Sequence, residues 1–428
     1  MRLKNFAATV FIAFFLFPLA AQNRNLSVEE AVKLALEQNA SIGQSKISLS
    51  SAKREKAHSW NSVSPSLTLG GTYSSPNEKD SYDWRLSGTA GISLLFSPSL
   101  FTSIKTAKLN YEKELISYEQ MCRSIELSVR TSFYSLLYDQ EYISLQKRRL
   151  ETAKRQYDQN SVKYNNGRIP EIDVLSARVK YEKLKPQVEE ADITFLNNVD
   201  TFKKLLNIDA DKDLTLSGSL DDIMNLVEKD IASGRVEDWV NASVSVRSLE
   251  KQLEAAEAAL TASRAAVFGP SINAGWNYQP SLTDKSEGKT TDGGSLSLSV
   301  SIPLDGLLPW SSKADTVASA KDNIAALKIK LDEAKRSASV SINNYVRQIK
   351  QTQSTIKSLQ INEELAERTY EMTLDAYNRG TKDYLTLQDA SDSLFEARLS
   401  VKSKLYTLIS TILNLESVSG SPFGTLAE

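Results

Sequence analysis

The chain carries one cysteine, one histidine, 17 glycines and 11 prolines in 428 residues. A lone cysteine, Cys122, has no partner for an internal disulfide, and on a helical apolar stripe it reads as a small core residue. His58, beside Lys53, Arg54 and Lys56, leaves little material for Ser-His-Asp catalysis or imidazole metal sites. No Gly-Lys-Ser or Gly-Lys-Thr phosphate loop is present, so the chain has no ATP-hydrolysing element of its own. Carboxylates pair off along helix faces, but 51 basic side chains balance 53 acidic ones. Such faces are solvated surface, and the balance offers no purchase on nucleic acid. We therefore expect no enzyme, cofactor or metal site. After the first 21 residues no run of roughly 18 apolar residues follows, which excludes a membrane-crossing helix. Any contact with lipid must then come through strands. The scarcity of glycine and proline predicts a mostly helical chain with long helices.

What is present begins with a targeting pattern. Arg2 and Lys4 precede an apolar run from Phe6 to Phe17, then Pro18 and the small residues Ala20 and Ala21. This reads as a secretory signal peptide over 1–21; a retained anchor is disfavoured by its shortness. No cysteine near the cut offers a lipid attachment point.

The chain is internally duplicated. Pro65, Tyr73 and Pro98 recur 205 positions on as Pro270, Tyr278 and Pro303. Further along the spacing becomes 213: Ala107 with Ala320, Val129 with Ile342, Tyr157 with Tyr370, Tyr164 with Tyr377, Gly167 with Gly380. Two fixed registers are the mark of two copies of one unit, the second with a longer loop near 305–312. The copies span 22–208 and 235–418, separated by a segment at 209–234 and followed by a tail at 419–428.

Each copy has the same order. Ser27 with Glu30 forms a capping box opening a helix to about His58, and the matching helix runs from Val236 to about Ala266. Two strands follow in each copy. Leu67, Leu69 and Tyr73 alternate with Thr68 and Thr72; Leu86, Ile92 and Leu94 alternate with Ser87, Thr89 and Ser93. In the second copy Ile272, Trp276 and Tyr278 share a face, as do Leu296, Leu298 and Val300. The links at 74–83 and 279–294 read as polar loops. Next comes a helix over 102–166 whose every seventh residue, from Leu115 through Cys122, Val129, Leu136, Ile143, Leu150 and Tyr157 to Tyr164, is apolar or aromatic. That is a coiled-coil seam roughly 100 Å long. The second copy repeats it over 312–377. Both stop at Tyr-x-x-Gly, Tyr164 to Gly167 and Tyr377 to Gly380, where glycine suits a left-handed cap. Shorter helices return over 171–206 and 382–416, and Leu214-Thr-Leu216 is strand-like.

Four strands cannot close a barrel with an open interior. The longer ones match a tilted membrane-crossing strand of about 9–11 residues, and Tyr73, Trp84, Trp276 and Tyr278 suit an interfacial belt. Strand edges in lipid must be paired, so several chains pooling strands is the expectation; three would give twelve. A secreted coiled-coil scaffold or adaptor without a barrel, and a porin-like uptake protein, are the rivals.

The opening Leu26-Ser-Val-Glu-Glu-Ala-Val-Lys-Leu-Ala-Leu36, the strand entry Pro65-Ser-Leu-Thr-Leu69 and the two Tyr-x-x-Gly ends resemble the TolC-like outer-membrane efflux family. The resemblance implies a mainly α fold with a small transmembrane β part. It further implies a homotrimer with a twelve-stranded barrel in outer-membrane lipid and a periplasmic helical tunnel. Such ducts dock onto a periplasmic adaptor and an inner-membrane transporter. The family pattern places a gate at Tyr377 and Asp173, with Lys382 where a better-known member has arginine. Its second-copy pair of aspartates falls on Thr386 and Asp389, so one acidic ring is missing. The helix turns around Gly167, Gly380, Tyr164 and Arg168 are the expected adaptor contact.

Overall fold

The computed structural model describes residues 24–75, 84–229, 236–283 and 290–426. The targeting segment and the centres of both hairpin loops lie outside them. The order is β1 (Arg24–Leu26), α1 (Val28–Gln38), α2 (Ala40–His58), β2 (Ser66–Ser74), β3 (Arg85–Phe96), α3 (Pro98–Asn165) and α4 (Glu171–Leu206). After β4 (Leu214–Leu216) it repeats as α5 (Val236–Ala242), α6 (Val244–Phe268), β5 (Ser271–Tyr278), β6 (Ser281–Thr283), β7 (Thr290–Thr291), β8 (Gly294–Ser301), α7 (Ser312–Asn378) and α8 (Tyr384–Ser419). Among the described residues no helix is long and apolar enough to cross a membrane.

The capping box at Ser27 and Glu30 forms as expected. The single helix expected to His58 does not; it breaks at Asn39. There ψ is 130°, the side chain caps α2 by accepting from the Ser41 and Ile42 amides, and Nδ2 donates to the Leu205 carbonyl at 2.9 Å. A side chain that serves the new helix and α4 together competes with continued helix. The matching helix of the second copy also breaks, at Ser243 between α5 and α6, where ψ is 129° but no side chain caps the new helix.

The long helices are 68 and 67 residues, about 100 Å each at ~1.5 Å per residue. Along the α3 seam Val129, Leu136 and Ile143 are buried, whereas Leu115 and Tyr164 at its ends are exposed in the single chain. The main core gathers where the short elements wrap the helices. Phe133, Leu136 and Leu137 of α3 meet Phe202 and Leu206 of α4, Ile342 and Ile349 of α7, and Leu405 and Leu408 of α8. β1 and β4 pair in parallel beside it. The last turn is anchored by a fully buried carboxylate, Glu416, which accepts from the Gly424 and Leu426 amides at 3.1 and 2.8 Å. Arg123 closes that turn by donating to the Glu416 and Ser421 carbonyls.

Apart from β1 and β4, the strands form one antiparallel sheet. β3 pairs β2 on one side and both β5 and β6 on the other, in a single register. β8 pairs β5 and β7 pairs β6, again in one register. β5 with β6, and β7 with β8, are therefore two long strands, each interrupted once. Pro280, without an N–H, interrupts the first, although its carbonyl still accepts from Gly88 at 2.9 Å. The expected polar loop at 279–294 is thus shorter than its composition suggests, since strand pairing runs into it. Four strands result, ordered β2, β3, β5 with β6, β8 with β7. A single residue, Ser97, joins β3 to α3, while residues 302–311 join β8 to α7, which is the longer loop behind the change of repeat spacing.

Candidate functional site

Both helix tips end on left-handed glycines, Gly167 with φ +67° and Gly380 with φ +78°. The Arg168 amide returns to the Lys163 carbonyl, and the Thr381 amide to Ala376, each at 2.9 Å. These six-to-one bonds stop a helix and fold the chain back. Asp383 then caps α8, accepting from the Thr386 amide at 2.9 Å and from its hydroxyl. Those bonds hold the Asp383 carboxyl below its usual range.

Behind the tips lies a small buried cluster of Ala177, Tyr377, Tyr384 and Leu387. The Tyr377 hydroxyl donates to Asn160 Oδ1 at 2.6 Å, and Lys163 Nζ lies 4.2 Å from its ring centre. One turn back on α3, Gln156 Oε1 accepts from Tyr384 at 3.4 Å. Two tyrosines of the second coil thus bond to two amides of the first. Burial pushes Tyr384 up to about 12 and raises Tyr377, so both stay protonated donors at neutral pH. Neither amide is fully satisfied: Asn160 Nδ2 and Gln156 Nε2 are buried without partners.

Of the residues singled out by sequence, Tyr377 is buried within this cluster. Asp173 is half-buried nearby, and burial and the Asp383 charge raise its carboxyl. It accepts no hydrogen bond from Tyr377 here; Asn160 takes that place. Lys382 and Asp389 are exposed, Thr386 belongs to the α8 cap, and Tyr164, Gly167, Arg168 and Gly380 lie exposed at the turns. Sequence reading missed Asn160 and Gln156. The signal was a polar residue on a buried helical stripe, since Asn160 stands seven after Ala153 and fourteen after Gln146, both buried.

Further from the tip, Asp392 of α8 accepts from Arg149 of α3 at 2.7 Å and from Lys180 of α4 at 2.6 Å. Burial opposes its charge, but these bonds hold its carboxyl below the usual carboxylate range. A depressed folded value means stability present above about pH 4 and lost as pH falls through that value. Asp392→Asn should cost roughly 1–3 kcal/mol at neutral pH, less than the ~3–5 kcal/mol of a fully buried broken pair because Asp392 is partly exposed. The gap from the parent should shrink below about pH 4. Chemical unfolding in detergent at both pH values checks it; a gap independent of pH would rule the tie out.

The sheet has two unlike faces. On one, Leu67 stands opposite Ile92, Ile92 opposite Trp276, and Trp276 opposite Leu296. Leu69, Leu296 and Leu298 there are 90%, 84% and 74% exposed. On the other, Ser66, Thr68 and Thr72 continue into Ser87, Thr89 and Ser93, then Asn273 and Asn277, then Ser295, Ser297 and Ser299. Trp276 stacks on Tyr278 at 6.3 Å, and the Tyr278 hydroxyl donates to Asp292 at 3.2 Å. Tyr73, opposite Leu86, and the half-buried Trp84 mark the far end of the sheet. At the helical end, Trp60, Phe101 and Trp310 are 58%, 58% and 82% exposed, a second aromatic set that strand periodicity did not reveal.

A family model for outer membrane efflux proteins matches residues 31–207 and 239–421. The chain belongs to the outer membrane efflux protein family. It is similar to outer membrane protein TolC of Escherichia coli (strain K12), 20% identical over 387 residues, covering 83% of this chain and 74% of TolC. In structure it is similar to CusC, with TM-score 0.80 and 15% identity over 92% of each chain. The outer membrane channel CmeC of Campylobacter jejuni gives TM-score 0.75 and 18% identity, covering 92% of this chain and 85% of that one. The resemblance read from the capping-box start and the two Tyr-x-x-Gly ends is borne out, as is the mainly helical fold with four strands. This efflux family protein is an outer-membrane channel component with a periplasmic helical part, and not an enzyme.

Proposed function

We propose that three copies form one export duct, serving as the outer-membrane exit of a tripartite efflux or secretion assembly. The observation that carries this reading is a four-stranded sheet with a continuous exposed apolar face. Among the described residues, no strand pairs with the outer edges of β2 or of β7 and β8. An open sheet of this kind is unstable in lipid, where every backbone group must be paired. Joining edges around a threefold axis gives twelve strands, with the Leu and Ile face toward lipid and the Ser and Thr face lining the lumen. The long helix pairs continue it as a tunnel whose tips, at Gly167 and Gly380 with Tyr164 and Arg168, meet a periplasmic adaptor and through it an inner-membrane transporter. Tyr377, Tyr384 and their amide partners, with Asp173, Lys382, Thr386 and Asp389 nearby, form the resting constriction.

The mature protein extracted in mild detergent should sediment as a trimer and conduct in a planar bilayer. A monodisperse monomer in detergent-free buffer would favour the scaffold reading instead.

A further inference from the structure

Between the tip cluster and the main core, a cleft of about 520 Å³ opens where α3, α4 and α8 meet. That volume falls within the ~300–1,000 Å³ of small-molecule sites. We propose that this cleft binds an organic cation, an amine or amidine carried on an aromatic body.

The walls are aromatic. Tyr138 and Tyr142 lie near-parallel, 6.4 Å apart, and Phe395 lies across from them on α8. Phe395 carries the Arg149 guanidinium on its ring at 4.2 Å, so among the rings of the cleft the tyrosines are the ones that offer cation–π contact to a ligand. That guanidinium is held by Asp392, with its Nε left as one unpartnered donor at the wall.

Gln187 and Thr194 can donate or accept, and the other polar groups of the lining add acceptors. Gln146, 4% exposed, donates through Nε2 to the Tyr142 hydroxyl at 2.8 Å. Its Oε1 is buried with no partner. A buried amide oxygen left without a donor is unfavourable, and a ligand N–H would relieve it. Asp139 lines the same wall, and Glu190 and Glu396 stand exposed at the mouth. Among the described residues no cation pairs with any of the three; Asp139 accepts only from Asn198, at 2.8 Å. Burial raises the Asp139 carboxyl, a penalty an incoming positive charge would relieve. Three carboxylates and an idle carbonyl around the cleft outweigh the one guanidinium, which Asp392 already holds, and so favour N–H donors with positive charge over anions. All of these groups come from a single chain.

The test uses ethidium, an aromatic cation with two amino groups, titrated against the purified protein in a nonionic detergent and read by fluorescence anisotropy with detergent-only controls. Saturable binding is expected. Glu190→Gln with Glu396→Gln, both exposed and safe for folding, should weaken it about tenfold or more, a loss of ~1.4 kcal/mol. Gln146→Leu should weaken it similarly, while Glu333→Gln on the exposed face of α7 should not. If Gln146→Leu fails to fold, the glutamate pair decides alone. Absence of saturable binding, as in a merely hydrated cleft, or equal affinity in all variants overturns the proposal. Conduction plays no part in the measurement, so either outcome leaves the duct reading standing.

Discussion

Replacing Tyr377 and Tyr384 by phenylalanine should raise single-channel conductance several-fold while the protein still assembles as a trimer. Each substitution removes one hydroxyl from a bond that joins the second coil to α3: Tyr377 to Asn160 at 2.6 Å and Tyr384 to Gln156 at 3.4 Å. A neutral hydrogen bond contributes about 0.5–1.5 kcal/mol net, and a threefold assembly holds six of these. Roughly 3–9 kcal/mol is thus available to keep the coils together, and each ~1.4 kcal/mol shifts a closed-to-open ratio tenfold. The amides act against full strength, since Asn160 Nδ2 and Gln156 Nε2 are buried without partners. If these bonds are the proposed constriction, being only half satisfied would let the proposed adaptor contact release them. The phenyl rings keep their place in the apolar cluster with Leu387 and Ala177, so folding is spared. Lys382→Ser, added to the pair, removes an exposed charge beside Asp383 and should open the tip further. Unchanged conductance from intact trimers would show that these bonds are not the constriction.

Asn160 and Gln156, the amides bonded to Tyr377 and Tyr384, also mark where sequence reading reached and where it stopped. Helix ends were legible because Gly167 and Gly380 are dictated by local backbone geometry, which the sequence carries directly. The strands were legible because alternation survives wherever the two faces meet different surroundings. Helix breaks at Asn39 and Ser243 were not, since Asn39 owes its break in part to Leu205, distant in the chain. Asn160 escaped notice for a similar reason: an amide on a seam looks like solvated surface until a tyrosine from another coil is found against it. The family pattern placed a gate at Tyr377 and Asp173; that Tyr377 is buried and bonds to Asn160 instead of Asp173 is a matter of side-chain placement that no sequence motif carries.

Neighbouring substitutions on β8 should give opposite phenotypes. Leu298 stands opposite Ala274, which stands opposite Leu94, all on the exposed apolar face. Ser297 is adjacent in sequence but on the other face, its hydroxyl donating to the Gly275 carbonyl at 3.3 Å. Arginine on the lipid face costs up to about 2–4 kcal/mol, depending on depth, and a trimer bears it three times. Leu298→Arg should therefore abolish most trimer in the membrane fraction. Trp276→Asp, on the same face opposite Leu296, should impair insertion less, because a carboxylate costs less there than arginine. Ser297→Arg should leave the membrane fraction near the parent level, because three guanidiniums in a wet lumen stay hydrated. Its effect should appear in conduction instead, as lower conductance and a reversal potential shifted toward anions. Membrane fractionation with heat-resistant trimer detection separates the first effect, and bilayer recording the second. The contrast isolates face from position, since the two residues share strand, depth and added charge. Equal yields for Leu298→Arg and Ser297→Arg would mean that neither face meets lipid, and the sheet would not be the membrane-spanning part.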